Sequence, residues 1–289
     1  MQRAGSIAKD VGSHGTENCF GGEMDLLRIA LLHLAPRLAD IPYNQHLVET
    51  AIHAAARAGA DCILTPELIT TGYTFTDRLG TDWISVQPDP WVCNICELAY
   101  RLQVAIFLGH VERDAVTGAL HNTVFAIAPS GELVGRHRKI NTLRIGSEAW
   151  STPGTQAQIL EVPPCGDVGI LICADAYSPG IAEQLRLQGA RLLVSAAAWA
   201  PGLHGPNGEW ERISQDTGLP VFVCNRTGDD SIMSFAKAES VVAYAGQRVF
   251  SCASETSAVF VLEWSLPEHA LRSSRILPLH CSQIEQHSS

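Results

Sequence analysis

Residues 168–179 read VGILICADAYSP, and the reading of this stretch decides the fold. A short apolar run that stops at a turn is the pattern of a strand buried on both faces, as strands of parallel sheets are. The helix-like SPGIAEQLRLQGA follows and the apolar RLLVSAAAW comes next, which makes the unit strand, helix, strand. In open α/β sheets ligands gather where such strands end. Cys173 closes the run and so stands at a plausible site position. On this stretch alone, the commoner role of a buried free cysteine is that of a small hydrophobe.

Working outward, LLRIALLHLAP reads as a buried strand and NQHLVETAIHAAARAGA as an amphipathic helix with a glycine near its end. DCILTPE is the next strand, WVCNICELAYRLQ a second helix and VAIFLGH a further strand. HNTVFAIAPSGELVGRHRK is two strands joined at Pro129, Ser130 and Gly131, a hairpin signal. EWERISQDTG is a helix leading to the strand LPVFVCNRTG, and residues 239–262 carry more strands. Alternating strands and helices followed by hairpins predict mixed sheets in a layered α/β fold. No repeat or linker divides the chain, so one domain is expected over residues 26–264. The Gly- and Ser-rich residues 1–25 read as a mobile leader, with Met24 as an alternative start, and the polar residues 265–289 as an irregular tail.

Composition narrows the function. A chain of 289 residues can bury a sizeable core, and 46% apolar with 17% charged residues excludes the disordered class. A formal charge of −10 with no basic cluster argues against nucleic acid and anionic membranes, which both reward clustered Lys and Arg. No run of 18 apolar residues is present to span a bilayer. The first 25 residues lack the apolar stretch of a secretory signal, and nine cysteines, an odd number, then suggest reduced thiols in a cytoplasm.

Three side chains share one kind of position. Glu67 follows the run ILTP, Lys139 leaves the hairpin in GRHRKINT, and Cys173 ends the strand quoted above. Singly each is commonplace: a solvated carboxylate, an exposed lysine, a packed thiol. Together they fit one chemistry, because a thiol nucleophile needs a base to take its proton and a cation to steady the oxyanion that follows. Other candidates are weaker. Cys93 and Cys96 form a CxxC inside a helical pattern without a second pair, which favours core packing over zinc or redox chemistry. Eleven histidines show no metal-binding spacing, and Asp229 with Asp230 reads as solvated loop charge.

The segments PELITTGY, GELVGRHRKINT and GILICAD, in this order, resemble the three signature regions of the nitrilase (carbon-nitrogen hydrolase) superfamily. The likeness runs from about residue 27 to 262, with 72 residues between Glu67 and Lys139 and 34 between Lys139 and Cys173. It implies an αββα sandwich in which Glu67 is the general base, Lys139 the transition-state stabiliser and Cys173 the nucleophile. Glu148, in SEAWSTPG, resembles a second glutamate of the amidase members that orients the lysine and substrate. Tyr73, Trp150, Ala174, Tyr177, Trp199 and His204 follow strands or these motifs and are the candidate pocket residues.

The implied reaction is hydrolysis of a small-molecule amide through a thioester, with no cofactor and no metal. A nitrile or an N-carbamoyl compound is the alternative substrate, and the run Cys173, Ala174, Asp175 in place of Cys-Trp-Glu favours the amide. The segment ISQDTG replaces the Arg-Ala-x-Glu of relatives, which leaves substrate and subunit packing open. Relatives associate through a helical face, so a homo-oligomer, dimer or larger, is expected, with IAEQLRLQG at that face. A catalytically silent metabolite-binding homologue is the rival of another class, and the intact triad argues against it.

Overall fold

A computed structural model describes residues 26–143 and 146–279. The expected leader, residues 1–25, and the last ten residues of the expected tail lie outside the described residues. The chain runs β1 (Leu26–His33), α1 (Ile41–Arg57), β2 (Cys62–Leu64), a short α2 (Thr76–Leu79), α3 (Pro90–Leu102) and β3 (Ala105–Arg113), then the hairpin of β4 (Leu120–Ile127) and β5 (Leu133–Arg138). After β6 (Ile159–Val162) the order repeats as β7 (Gly166–Ile172), α4 (Pro179–Gln188), β8 (Leu192–Ala197), α5 (Glu209–Thr217) and β9 (Val221–Asn225). The two-residue strands β10 (Asp229–Asp230) and β11 (Met233–Ser234) precede a second hairpin, β12 (Ser240–Tyr244) and β13 (Gln247–Cys252). Strands β14 (Ala258–Ser265) and β15 (Ala270–Pro278) close the described chain.

Two large sheets form, and the C-terminal strands β14 and β15 return to the sheet of the N-terminal half. The first has the order β15-β14-β1-β2-β3-β4-β5 and the second β13-β12-β9-β8-β7-β6. In both, three central strands are parallel, β1, β2 and β3 in one and β7, β8 and β9 in the other, and the flanking strands are antiparallel. Parallel neighbours need a crossover, and the helices supply it.

Helix boundaries follow local chemistry. Asp40 and Asp89 precede α1 and α3, and their carboxylates accept hydrogen bonds from Tyr43 N (3.3 Å) and Val92 N (2.9 Å). Proline stands in the first turn of α1, α3 and α4, where its missing N–H costs nothing. Gly189 ends α4 in the left-handed conformation, φ +104°.

The layers are legible from the alternation of side chains along the strands. Leu27, Ile29 and Leu31 of β1 join the core between the sheets, while Ala30 and Leu32 face α1 and α3. Residues of β3 divide the same way, Phe107 inward and Ile106 and Leu108 toward the helices. On the far side Ile181, Leu185, Trp210 and Ile213 pack α4 and α5 onto the second sheet. The result is the expected α/β fold, helices covering both outer faces of two packed mixed sheets. Among the described residues no helix is long and apolar enough to cross a membrane.

Three expectations are corrected. The chain does not turn irregular at 265, because β15 pairs with β14 along its length, Phe260 opposite Ile276 and Leu262 opposite Ser274. It is an edge strand whose side chains are largely solvated, so it is held by backbone bonds and lacks the apolar alternation that marks a strand in sequence. The CxxC is on α3 as expected, but Cys93 is exposed and Cys96 half-buried, so Cys93 is not packed in the core. Asp230 is not solvated loop charge: it is buried, pairs with Arg226 at 2.7 Å and accepts hydrogen bonds from Tyr73 N (2.6 Å) and Thr74 N (3.1 Å).

Candidate active site

Glu67, Lys139 and Glu148 come from separate segments and meet in the interior, each at most 1% exposed. Lys139 Nζ lies 2.7 Å from Oε1 of Glu67 and 2.7 Å from Oε1 of Glu148. The nine-residue connection from Lys139 to Glu148 closes through a single turn of 3-10 helix, Gly146–Glu148.

Strand geometry explains why this lysine is buried. In the run Arg136, His137, Arg138, Lys139 the side chains alternate. Arg136 and Arg138 meet Glu112 on the outer side, while His137 and Lys139 are buried. Two glycines let the backbone approach closely here. A Cβ at Gly109 would lie 2.2 Å from Pro66 O, beside Glu67, and one at Gly154 would lie 2.2 Å from Arg138 O, beside Lys139.

Asn122 was not singled out in the sequence, and it completes the cluster. Its Nδ2 donates to Oε1 of Glu67 (2.7 Å) and to Oε1 of Glu148 (2.9 Å). The remaining carboxylate oxygens accept from backbone: Glu67 Oε2 from Ala198 N (3.0 Å) and Glu148 Oε2 from Leu143 N (3.2 Å). Ala198 follows β8 of the second sheet, so this hydrogen bond ties Glu67 to the sheet that carries Cys173. The signal for Asn122 was a polar HNT at the start of an otherwise apolar strand, visible only once that strand is known to be buried on both sides.

Cys173 sits at the end of β7 with φ +44°, in the left-handed region that a side chain with a Cβ rarely enters. Such strain, of order 1–3 kcal/mol, persists only where the surroundings enforce it. Asp175 supplies the enforcement. Its Oδ2 accepts from Ile172 N (2.9 Å), one residue before the thiol, and is paired with His137 Nε2 at 2.8 Å. Its Oδ1 accepts from Ile140 N (3.0 Å) and Asn141 N (2.7 Å), just past the lysine. Asn141 returns a bond to Ala174 O at 2.7 Å. The Cys173 turn and the Lys139 segment are therefore one hydrogen-bonded unit.

The electrostatics follow from burial. Burial pushes the Cys173 thiol well above its ordinary value, Glu67 and Glu148 add to the rise, and Lys139 and the Ala198 N–H oppose it. Burial also raises the Glu67 carboxyl, with Lys139 as the main opposing charge. For Lys139 burial disfavours the ammonium, but the surrounding acids outweigh it and the group stays protonated. Burial works against the Asp175 charge too, yet the His137 bond and backbone donors hold its carboxyl below the usual range.

Above the thiol opens a cavity of about 980 Å³. Tyr73, Ala174, Tyr177, Trp199 and His204 line it, as does Cys173. Trp150 does not: its ring packs edge-to-face on Phe75 at 5.2 Å, in the apolar cluster behind Tyr73. Lining residues that sequence reasoning missed include Leu143, Leu203 and Ile232, which come from loops with no periodic signal. Among the described residues no group of His, Cys, Asp and Glu is arranged to hold a metal ion.

The carbon-nitrogen hydrolase family profile matches residues 28–267, a span that contains every residue of this cluster. The chain belongs to the carbon-nitrogen hydrolase family. A probable nitrilase of Schizosaccharomyces pombe is 25% identical to this carbon-nitrogen hydrolase over 226 residues, 76% of this chain and 81% of its own. A citrullinase of Francisella tularensis is 25% identical over 225 residues, 71% of this chain and 78% of its own. Among solved structures, Nit3 of Saccharomyces cerevisiae, a nitrilase-superfamily member, superposes with a TM-score of 0.74 at 21% identity, covering 85% of this chain and 92% of that one. An amidase from Nesterenkonia sp. AN1, also of the nitrilase superfamily, superposes with a TM-score of 0.72 at 21% identity, covering 84% and 93%. At that identity the structural likeness speaks to the fold.

Proposed function

We propose that this carbon-nitrogen hydrolase cleaves amides to a carboxylic acid and ammonia through a thioester on Cys173. The observation that carries the reading is the strained thiol on the cavity floor beside a buried ammonium held by two carboxylates.

The resting thiol is neutral, because burial and two nearby acids disfavour the thiolate. Glu67, its carboxyl raised by burial, takes the Sγ proton as sulfur attacks the carbonyl carbon. Its Oε2 accepts only the Ala198 N–H among the hydrogen bonds of the cluster, which leaves a lone pair for that proton. The oxyanion faces the Lys139 ammonium and the Ala174 N–H, which stabilise charge that appears only in the transition state. Glu67 then passes its proton to the nitrogen and ammonia leaves. Water attacks the thioester with Glu67 again as base, the acid departs, and the thiol regains its proton. Glu148 and Asn122 act on position, fixing Lys139 and Glu67 through hydrogen bonds to both sides.

The test is ammonia release by wild type and Cys173→Ala with primary amides, nitriles and N-carbamoyl compounds. Release from amides by wild type alone supports the reading. Release from nitriles or carbamoyl compounds in preference to amides overturns the amide assignment, and release undiminished in Cys173→Ala overturns the thiol mechanism.

A further inference from the structure

Resting on that amidase reading, we infer that the acyl group taken by this cavity is bulky, apolar and uncharged, branched or aromatic rather than formyl, carbamoyl or carboxylate-bearing. A volume of about 980 Å³ is at the upper end of what ligand cavities show, roughly 300–1,000 Å³, far beyond what a one- or two-carbon acyl group fills.

The wall is mainly apolar, with Ser147, His204, Asn207 and Ser234 as its polar members and aromatic and aliphatic side chains making up most of the rest. Tyr177 and Trp199 stand edge-to-face at 4.9 Å, and Trp199 is backed by the fully buried Trp210 at 5.2 Å. The polar atoms of that aromatic pair are already used. Trp199 Nε1 donates to His204 O at 3.0 Å and Tyr177 OH donates to the same carbonyl, so the rings turn carbon faces to the cavity. Tyr73 on the lining stays a neutral phenol, because burial raises its pKa.

The rim carries the same signature. Leu203 is 92% exposed and Ile232 is 81% exposed, and both line the cavity. Large aliphatic side chains held in water at a cavity mouth gain by covering an apolar substituent. No Lys, Arg, Asp or Glu is on the lining among the described residues. The nearby buried cations are both occupied, Lys139 by Glu67 and Glu148 and Arg226 by Asp230. A carboxylate on the acyl group would be partly desolvated with no lysine or arginine to pair with.

Two measurements test this separately from the chemistry. The first is the binding of amides to Cys173→Ala by calorimetry, which needs no turnover. The second is wild-type kcat/KM on the same series: formamide, acetamide, butyramide, hexanamide, phenylacetamide, N-carbamoyl-β-alanine, and succinamate against its apolar isostere 4-methylpentanamide. Affinity and kcat/KM are expected to rise about fourfold per buried methylene, with phenylacetamide at or above hexanamide. Succinamate is expected about a hundredfold or more below 4-methylpentanamide. Leu203→Asp/Ile232→Asp, two exposed positions, is expected to flatten the rise. Preferred binding of formamide or succinamate overturns the inference while ammonia release from these amides upholds the amidase reading, and preferred binding and turnover of the carbamoyl compound overturns both. The predicted binding order without any turnover supports the cavity chemistry and overturns the amidase reading instead.

Discussion

Two environments sit one above the other in this molecule. Below is a set of charged groups in which Glu67, Lys139, Glu148 and Asp175 each have several hydrogen-bonding partners, drawn from both sheets. Above is a cavity whose aromatic wall has spent its polar atoms on one backbone carbonyl. The lower layer is over-determined, since the same bonds that tune its chemistry also join the sheets, whereas the upper layer is determined mainly by shape. Damage below should therefore cost stability and rate together. Changes above should alter which substrate is used and leave the fold intact.

The largest effect tests the lower layer through the thiol. Cys173→Ala is expected to lower kcat/KM by about 10⁴-fold or more, measured as ammonia release on the best amide, with a thermal midpoint close to wild type because alanine keeps the Cβ and the backbone conformation and loses only the packing of one sulfur. Lys139→Met should instead lower stability by about 3–5 kcal/mol, since it leaves two buried carboxylates facing each other without a cation. Urea unfolding reads this, and adding Glu67→Gln and Glu148→Gln should return most of the stability with no return of activity. An unchanged midpoint in Lys139→Met would show that the cluster is wetter than its burial implies.

Acid is the next probe. Burial holds His33 and His110 neutral, lowering each from 6.5 to about 4. The unfolded chain binds the extra protons first, so their stabilising contribution is present above pH 6.5 and is lost as pH falls from 6.5 toward 4. The loss is on the order of a few kcal/mol and shows as a falling urea midpoint over that window. Over the same range activity should fade earlier than an ordinary glutamate would dictate, because the base Glu67 must be ionised and its pKa is raised.

Asp175→Asn is smaller and more local. It replaces one acceptor oxygen by a donor where His137 and backbone N–H groups converge, and about 2–3 kcal/mol of stability should go. Activity should fall with it, read as a drop in kcat at little change in KM, since Asp175 positions Cys173 and the lysine segment without lining the cavity. Smallest of all, Leu203→Ala should shift stability by no more than about 0.5 kcal/mol, an exposed change, while raising KM for a long-chain amide.

Much of this was legible in one dimension. The strand-helix-strand order of both halves, the hairpin at Pro129 to Gly131 and the positions of Glu67, Lys139 and Cys173 at strand ends follow from apolar periodicity and turn residues. Strand β15 was not, because an edge strand holds itself with backbone bonds and needs no apolar alternation. Asp230 was misread for a related reason: its charge is balanced by Arg226 and by the N–H groups of Tyr73 and Thr74, residues 157 and 156 positions away that no local pattern connects.

The amino-acid sequence by itself determined the layered α/β architecture and the strand-end positions of Glu67, Lys139 and Cys173, because periodicity and turn chemistry are local properties, and the resemblance to the carbon-nitrogen hydrolases is what singled these three out. Only the tertiary structure decided what those groups do to one another. Asn122 bridging two carboxylates, Asp175 locking a left-handed Cys173 to the lysine segment, and an apolar cavity roofed by loop residues all depend on contacts between distant segments. Hydrogen bonds and burial act through space: burial raises the Glu67 carboxyl and the Cys173 thiol, while close partners outweigh it to keep Lys139 protonated and Asp175 ionised.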